Sequence, residues 1–385
     1  MTTLDRRLAP LARIWPALSL ALLLALITLG ANFSGLAVKN RVIEMLIDVV
    51  LVVGFYSFAG TSGVLSFGHM SFMSIGAYVG ALLTIPVALK AILLPSLPST
   101  VAGTELALVP AALIAGAVAA TAAAVISIPL MRLPNLAISL GMFAVLVIVY
   151  QVESNWSSVT RGRAALVGIP TNTSLLTAFA GAVLAIVLVF AYQESRPGLR
   201  LRASRDDELA AASVGVNVEN ERRFALMISA FILGSGGVLY AQYLGVITPN
   251  SFYLDITFIT IAMLVIGGTR SLAGAVIGPL FVTALTYLLQ QVEKGFSVGP
   301  LTVPGRSGLQ QVGLALVMLL VLIFRPRGLT GGRELPIPWR LRSPSGPLPE
   351  RQAALQSPPS IEKASRSNMV ALPQAASTDP KDSQL

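Results

Sequence analysis

Two carboxylates, Glu44 and Asp48, stand four residues apart in a long apolar stretch of the chain. Residues at this spacing share one face of a helix. Asp48 lies one turn further into the apolar stretch than Glu44, where an ionisable group is costly and is a functional candidate for that reason. We interpret Asp48 as a candidate residue of a solute or proton pathway. Simple hydration at the edge of the apolar layer is the alternative.

A second polar group lies in the apolar segment 61–82, which contains four glycines and several hydroxyl side chains. Glycines let helix backbones approach closely, and Gly76 and Gly80 have the GxxxG spacing. Polar side chains in such a segment line a cavity or bond across helices. For His69 a packing role within the bundle is the alternative. The candidate pathway residues of this segment are Ser66, Gly68, His69 and Ser71.

The densest charged stretch between apolar segments is 194–223, which combines six arginines with six carboxylates. Its sequence predicts a short helix over 205–214, because three acidic residues in the first turn suit the helix dipole and a glycine follows the end. A small capped helix rich in alanine is suited to docking into a groove of another protein, and a solvated surface loop is the alternative. The residues assigned to docking are Arg205, Asp206, Asp207, Glu208, Ala210, Ala211 and Gly215.

Several kinds of chemistry are excluded by what the sequence lacks. It contains no GxxxxGK[ST] motif, so the chain has no P-loop for nucleotide phosphates. No Ser/His/Asp or paired-carboxylate arrangement is present for hydrolysis. Cysteine is absent and histidine occurs once, which excludes thiolate and His-rich metal sites. We therefore predict that the chain is not an enzyme and carries no cofactor, so that any energy from ATP comes from another subunit.

The composition places these residues in a membrane protein. Of 385 residues, 54% are hydrophobic and 12% charged, about half the charge of a soluble domain. The continuous apolar runs predict an all-α, polytopic membrane protein embedded in a lipid bilayer. The net charge of +9 does not indicate a nucleic-acid partner, because the basic residues sit at the edges of apolar segments and in connections rather than on one face.

Ten apolar segments are predicted to be membrane spans, with eight as the alternative count. The segment 256–268 is short for a full crossing, so a tilted, broken or re-entrant helix is expected there. The stretch 267–279 is rich in glycine and predicts a break or short turn. The predicted spans are 14–31, 44–59, 63–84, 106–128, 133–152, 175–193, 224–244, 256–268, 272–291 and 309–324.

Basic residues predict the orientation of these spans. Arg6, Arg7 and Arg13 precede the first segment and place the N-terminus in the cytoplasm, if that segment is an uncleaved span rather than a signal peptide. Six spans then return the chain to the cytoplasm at 194–223, and the C-terminus is cytoplasmic as well. We divide the chain into a membrane domain, 1–329, and a Pro- and Ser-rich tail, 330–385, which is too polar to form a core.

Four segments, in order along the chain, resemble the membrane permeases of branched-chain amino acid ABC importers of the LivM type. They are 62–78, 201–217, 267–279 and 324–329, within a resemblance that covers roughly 43–329. In the second, Glu208, Ala210, Ala211 and Gly215 are similar to the EAA-type motif that contacts the ATPase subunits in that family. The sequence departs from the family at 160–166, where TRGRAAL stands in place of a Gly-rich stretch and brings two arginines to the predicted outer side.

The resemblance implies a transmembrane subunit of an ATP-driven importer in the bacterial inner membrane, with about ten helices and a coupling loop after the sixth. It implies a second related permease, two ABC ATPase subunits and an extracytoplasmic substrate-binding protein as partners. Branched-chain or related amino acids are the implied substrates, and urea, amides or aromatic acids are the alternatives within the family. A stand-alone proton- or sodium-coupled carrier that uses Asp48 and His69 is the alternative of another class. Such a carrier would be expected to show two similar halves, and no clear internal repeat is present.

Overall fold

The computed structural model of the protein describes residues 3–293, 296–298, 301–303, 308–325, 327–332 and 334. This part of the chain is predominantly helical, which confirms the prediction of an all-α polytopic protein. A 3-10 turn, Pro249–Phe252, directly precedes the thirteenth helix. The α-helices are α1 (Thr3–Asn32), α2 (Leu36–Ser62), α3 (Met70–Thr84), α4 (Val87–Leu93), α5 (Ser99–Ala102), α6 (Leu108–Leu130), α7 (Asn135–Asn155), α8 (Ser157–Thr160), α9 (Leu175–Glu194), α10 (Arg196–Asp206), α11 (Glu208–Ser213), α12 (Val218–Leu244), α13 (Leu254–Gly267), α14 (Leu272–Glu293) and α15 (Leu309–Phe324).

The centre of the bundle is formed by α2 and α12. From Val42 to Ser62, every residue of α2 except Glu44 and Asp48 is buried. A helix that is apolar on all sides is stable only when other helices surround it or lipid does. Most of α1 and α7, by contrast, lies on the outside of the bundle. A displacement of α2 or α12 would therefore shift more neighbouring helices than a displacement of α1 or α7.

Close packing of α3 on α12 depends on glycine. A Cβ atom placed on Gly76 would lie 2.2 Å from the carbonyl oxygen of Gly234, a distance that real Cβ atoms do not adopt. One turn on, a Cβ atom on Gly80 would lie 2.4 Å from a methyl carbon of Val238. Small residues at this spacing let two backbones touch in a membrane, where packing drives helix association. The predicted close approach at the GxxxG pair is confirmed.

Each of the ten segments predicted as spans contains a helix. By length and apolar composition, eight helices in the described part of the chain are long enough to cross a membrane, one of them only with the preceding 3-10 turn. The helix α3 passes the same test only together with α4, from which it is bent by 116°. The helix α15 has 16 residues, fewer than the ~20 of a typical span. Eight spans, the alternative count, therefore meet the criterion, or nine with the bent pair.

The helix predicted over 63–84 begins later than expected, at Met70. Gly63 adopts a left-handed conformation (φ 76°) and ends α2, as glycine does at many helix ends. The following residues, up to His69, are not helical. The expectation of a continuous helical span from Gly63 was wrong.

Serine side chains explain why the backbone before α3 leaves the helical conformation. The hydroxyl oxygen of Ser62 accepts a hydrogen bond from the N–H of Val64 (3.2 Å), and that of Ser66 accepts from the N–H of Gly68 (3.3 Å). Such local bonds compete with helical ones. Because this segment is largely enclosed by other helices, its irregular backbone is tolerated at membrane depth.

The two ends of the bundle can be assigned from α7 and α12. Arg222, near the start of α12, donates from Nη2 to the side-chain oxygen of Asn135, the first residue of α7, at 2.8 Å. Both helices therefore begin at the end that carries α10 and α11, which we call the loop end. The 21 residues of α7 rise about 30 Å, so Asn155 lies at the opposite end, as does the end of α12.

Two short antiparallel strand pairs occur in the described residues. At the opposite end, β1 (Leu166–Val167) pairs with β2 (Val246–Ile247), so that Leu166 stands opposite Ile247. This pair ties the segment after α8 to the segment after α12. The second pair, β3 (Phe296–Val298) and β4 (Leu301–Val303), has the register Phe296–Val303, Ser297–Thr302 and Val298–Leu301.

Candidate coupling site and pathway residues

The charged loop at the loop end contains two helices rather than one. The first, α10, ends at Asp206, and Asp207 is extended (φ −151°, ψ 105°). The Asp207 carboxylate accepts a hydrogen bond from the N–H of Ala210 at 2.9 Å and so caps α11. The prediction of a single helix over 205–214 was wrong, because the side chain of Asp207 takes the N–H group that a continuous helix would use. Glu208 is the first residue of α11.

Glu208 connects α11 to the start of α12. Its two carboxylate oxygens accept from Nη1 and Nη2 of Arg222 at 3.1 and 3.0 Å, and Asn135 accepts from the same guanidinium. The Arg222 side chain is only 4% exposed, whereas that of Glu208 is 49% exposed. A planar guanidinium and a carboxylate joined by two hydrogen bonds form one of the strongest and most directional ion pairs. The start of α11 is thereby held against both α12 and α7.

Arg205 connects α10 to the last turn of α2. Its Nη1 atom donates to the carbonyl oxygen of Gly60 at 2.6 Å. Carbonyl groups in the last turn of a helix lack helical partners and carry the negative end of the helix dipole, so a cation is favourable there. A Cβ atom on Gly60 would lie 3.0 Å from the carbonyl oxygen of Thr269, in the turn between α13 and α14. We call this meeting of Arg205, Gly60 and Thr269 the Gly60 junction.

The remaining predicted docking residues differ in exposure. Ala211 is buried, and Gly215 has φ 86° after the end of α11, as predicted for a helix end. The side chains of Leu209 and Val214 are 85% and 80% exposed, although both are large and apolar. Contiguous exposed apolar patches are typical of surfaces that bind other proteins, and these two side chains lie within the segment predicted to dock. The exposed members of the predicted set are Asp206, Asp207, Glu208, Ala210 and Gly215.

The first residues of the predicted tail, 330–385, pack on the turn between α13 and α14. The hydroxyl groups of Thr330 and Ser271 are 2.9 Å apart. The Glu334 carboxylate accepts from the backbone N–H groups of the first two residues of α14, at 2.8 and 3.2 Å, where an anion is favoured by the helix dipole. The rest of the predicted tail lies outside the described residues.

Two of the predicted pathway residues, Ser66 and His69, lie together in a small crevice beside α13. His69 is buried, and its ring centroid is 4.9 Å from that of Phe55 and 5.1 Å from that of Phe58. Neither ring nitrogen has a hydrogen-bond partner in the part of the chain that the structure describes. These surroundings are those of a residue that packs among aromatic rings.

The other two residues of this group, Gly68 and Ser71, hold the non-helical segment in place. A Cβ atom on Gly68 would lie 2.0 Å from the carbonyl oxygen of Met142 in α7. Ser71 donates to the carbonyl oxygen of Gly68 at 2.6 Å. The structure thus brings all four residues together as a buried group, and their part in a pathway stays a prediction.

Asp48 lies apart from this group, toward the opposite end. Phe55, which contacts His69, follows Asp48 by two turns of α2, about 10 Å along the helix. Glu44, one turn before Asp48, pairs with Arg41 at 2.9 Å and is partly exposed. Asp48 and His69 therefore do not form one polar site in this conformation.

A buried carboxylate that the sequence did not indicate is Glu153 in the last turn of α7. Ser74 of α3 donates to it at 2.6 Å, and only 6% of Glu153 is exposed. Glu153 falls one residue beyond the predicted span 133–152, where a carboxylate is expected to be hydrated. Polar residues recur at helical spacing along α3, and this was the only feature of the sequence that could have indicated a polar partner such as Glu153.

The chain resembles known transport proteins over most of its length. A family model described as the branched-chain amino acid transport system, permease component, matches residues 39–324. The chain is 28% identical over 132 residues to the high-affinity branched-chain amino acid transport system permease protein LivM of Escherichia coli (strain K12), covering 34% of this chain and 28% of that protein.

Two further relatives are permeases whose names give different substrates. The probable branched-chain amino acid transport permease protein LivH of Methanocaldococcus jannaschii is 30% identical over 161 residues, 40% of this chain and 47% of the relative. The nucleoside ABC transporter permease protein NupC of Lactococcus lactis subsp. cremoris is 29% identical over 154 residues, again 40% and 47%. The match spans about a quarter to a half of these curated relatives. The family model covers well over half of the chain, which therefore belongs to the permease components of branched-chain amino acid transport systems.

Proposed function

We propose that this protein is one transmembrane subunit of an ATP-driven importer for branched-chain or related amino acids. It pairs with a second, related permease to enclose the translocation pathway. Two ATPase subunits bind the loop end, and an extracytoplasmic binding protein delivers the substrate to the opposite end. ATP is hydrolysed on the partner subunits, and this chain catalyses no reaction itself.

The observation that carries this proposal is the arrangement of α11. Leu209 on α11 and Val214 directly after its end are exposed, while the first residue of α11 is joined by two hydrogen bonds to buried Arg222 of α12. A short helix that is firmly attached on one side and apolar on the other suits transmission of a partner's movement. Family membership makes an ATPase the expected partner.

Transmission would follow two contacts into the membrane. ATP binding closes the ATPases and displaces α11, and the Glu208 pair carries that displacement into α12. Through Arg205 the same loop moves the last turn of α2, which is followed directly by the non-helical segment before α3. Because α2 and α12 are the central helices, their tilt changes the side on which the pathway is open.

Replacement of Arg205 by Gln is expected to weaken coupling at the Gly60 junction. The variant loses a charge-assisted hydrogen bond, for which about 1.5–3 kcal/mol is typical. Leucine uptake per ATP hydrolysed in proteoliposomes should fall about tenfold. Arg196→Gln is the matched control, since Arg196 lies on the same helix, is exposed and forms no ion pair within the described residues. Equal coupling in the two variants would contradict a role for the junction.

Single cysteines test the proposed orientation, because the chain has no cysteine of its own. Ser213 lies at the loop end. Ser96 follows α3, which runs parallel to α12 (Gly76 against Gly234, Gly80 against Val238) and therefore ends at the opposite end. Both serines are exposed. A membrane-impermeant maleimide should label Ser96→Cys in intact spheroplasts and Ser213→Cys only after permeabilisation. This result corresponds to a cytoplasmic loop end in the inner membrane. The reverse labelling pattern would place α11 outside the cell and exclude contact with cytoplasmic ATPases.

The proposed function is tested by uptake of labelled leucine into cells with and without this chain. Each strain carries the partner ATPase either intact or inactivated in its P-loop. Uptake that needs both the chain and an active ATPase supports an ATP-coupled permease with a branched-chain substrate. Uptake that survives loss of the ATPase and collapses with the proton gradient would assign the chain to the proton-coupled carriers.

Uridine is the second substrate for this test, because one relative is named as a nucleoside permease. ATPase-dependent uptake of uridine without leucine uptake would keep the transport mechanism and change the substrate class. Urea, amides and aromatic acids form the next set of labelled compounds. In each case the P-loop variant of the ATPase separates ATP-driven uptake from leakage.

A further inference from the structure

A polar cavity lies at the opposite end of the bundle, away from α11. Its volume is about 240 Å³. It is bounded by the last turns of α7, the turn after α8 and the segment after β2. The residues that line it are Tyr150, Ser154, Arg163, Thr248, Pro249 and Asn250.

The fold holds the turn that contains Arg163 in a defined position. Thr160, just before this turn, donates to the carbonyl oxygen of Glu153 at 2.6 Å. Arg161 adopts a left-handed conformation (φ 64°) and donates from Nη1 to the carbonyl oxygen of Ala165 at 2.8 Å, which closes the turn. A left-handed conformation is uncommon for a residue other than glycine. The pairing of β1 with β2 then keeps the turn beside the segment after α12.

Hydrogen-bond donors without partners meet in this cavity. Ser154 is only 6% exposed, and its hydroxyl group has no hydrogen-bond partner among the described residues. Arg163 is exposed, and no carboxylate of the described chain forms an ion pair with it. The side-chain oxygen of Asn250 accepts from the hydroxyl group of Tyr150 at 2.9 Å, so its NH₂ group remains a donor.

We propose that this cavity binds the carboxylate of a small organic acid. Arg163 supplies the positive charge and the fork geometry that suits a carboxylate, and Ser154 and Asn250 supply further donors. None of the described residues that line the cavity is acidic, so it recognises the carboxylate rather than an ammonium group. The inference rests on the proposed function in one respect: the acid is the transported amino acid, which reaches the cavity from the outer side of the membrane.

The buried position of Ser154 favours a small molecule over a docked protein. A hydroxyl group that is nearly enclosed inside a cavity is reached by a ligand that enters the cavity. A carboxylate on the surface of a binding protein would contact Arg163, which is exposed, without reaching Ser154. Replacing Ser154 should therefore weaken the binding of a small acid in the cavity but leave the docking of a protein on Arg163 unchanged.

The test measures binding to the purified full chain in lipid nanodiscs, with no ATPase present. The probes are 4-methylpentanoate and 4-methylpentanamide, which have the same carbon skeleton and differ in charge, and L-leucine, which adds an ammonium group. We expect the acid to bind at least about tenfold more tightly than the amide, as for hydrogen bonds to a charged group, and leucine to bind like the acid. Arg163→Gln and Ser154→Ala should each remove most of this preference.

Lys39→Gln is the matched control, because Lys39 lies near the start of α2 at the same end of the bundle and removal of its charge should leave binding unchanged. Equal binding of acid and amide, no binding of either, or unchanged binding in Arg163→Gln would overturn the proposal. An Arg163→Gln variant that no longer attaches the binding protein but still binds the acid would also overturn the proposal, because Arg163 would then serve protein docking. Because no transport is measured, failure of ATP-driven uptake would leave this result unaffected.

Discussion

Replacement of Glu208 by Lys is expected to reduce ATP-driven uptake at least tenfold while ATP hydrolysis continues. The variant leaves the buried guanidinium of Arg222 without its carboxylate and adds a second cation beside it. Breaking a fully buried pair by removing one partner costs about 3–5 kcal/mol, and the half-exposed position of Glu208 places the cost below that range. The start of α11 would then separate from α12. Uptake and phosphate release in proteoliposomes measure the two activities on the same sample.

Two further variants show whether the pair itself is responsible. Asp206→Lys makes the same charge change in the same loop, but the Asp206 side chain is 73% exposed and its nearest cation is 3.8 Å away. We expect it to retain most of the uptake, since exposed pairs contribute little. The exchange of Glu208→Arg with Arg222→Glu restores the pair, and the Asn135 amide can turn to donate. Normal uptake by Glu208→Lys alone would show that this contact does not couple the ATPase to the spans.

Replacement of Gly76 by Val is expected to prevent stable packing of α3 on α12. Even the first added carbon would lie 2.2 Å from the carbonyl oxygen of Gly234 and 2.4 Å from its Cα atom, and neither backbone atom can move independently. Overpacking of a tight interface typically costs about 1–3 kcal/mol and occasionally more. The thermal midpoint of the purified protein should fall, with less monodisperse protein on size-exclusion chromatography.

Gly30 provides the control for this substitution. It lies in α1, and an added Cβ atom would have no neighbour within 4 Å. Gly30→Ala should be neutral or slightly stabilising, because alanine has the higher helix propensity by about 1 kcal/mol. A thermal midpoint for Gly76→Val equal to that of Gly30→Ala would mean that α3 and α12 are further apart than the structure places them.

The apolar helices were predictable from sequence because each is encoded locally. A continuous apolar run is long enough to cross a bilayer, and glycines such as Gly63 and Gly245 end helices through left-handed conformations. The close approach at Gly76 was predictable for the same reason, from spacing alone. The break before α3 was missed because the run remains apolar through 63–69, and only the hydroxyl bonds of Ser62 and Ser66 mark it.

Contacts between distant residues were beyond what the sequence could predict. Arg205 and Gly60 are 145 positions apart, and Ser74 and Glu153 are 79 apart. The pairing of carboxylates with arginines in the charged loop depends on the break between α10 and α11 at Asp207. The helical pattern of 205–214 gives no sign of that break. The family resemblance pointed to Glu208, whereas its partner, Arg222, became clear only from the fold.

Cross-linking at Leu209 tests whether α11 is the surface that receives the ATPase. Leu209→Cys is the only cysteine in its chain and is carried in the assembled transporter with a short photoactivatable maleimide. Ser96→Cys, at the opposite end, is the control. We expect a covalent product of this chain with an ATPase subunit from Leu209→Cys and none from Ser96→Cys. An active Leu209→Cys transporter that gives no such product, or a product from Ser96→Cys, would contradict this role of α11.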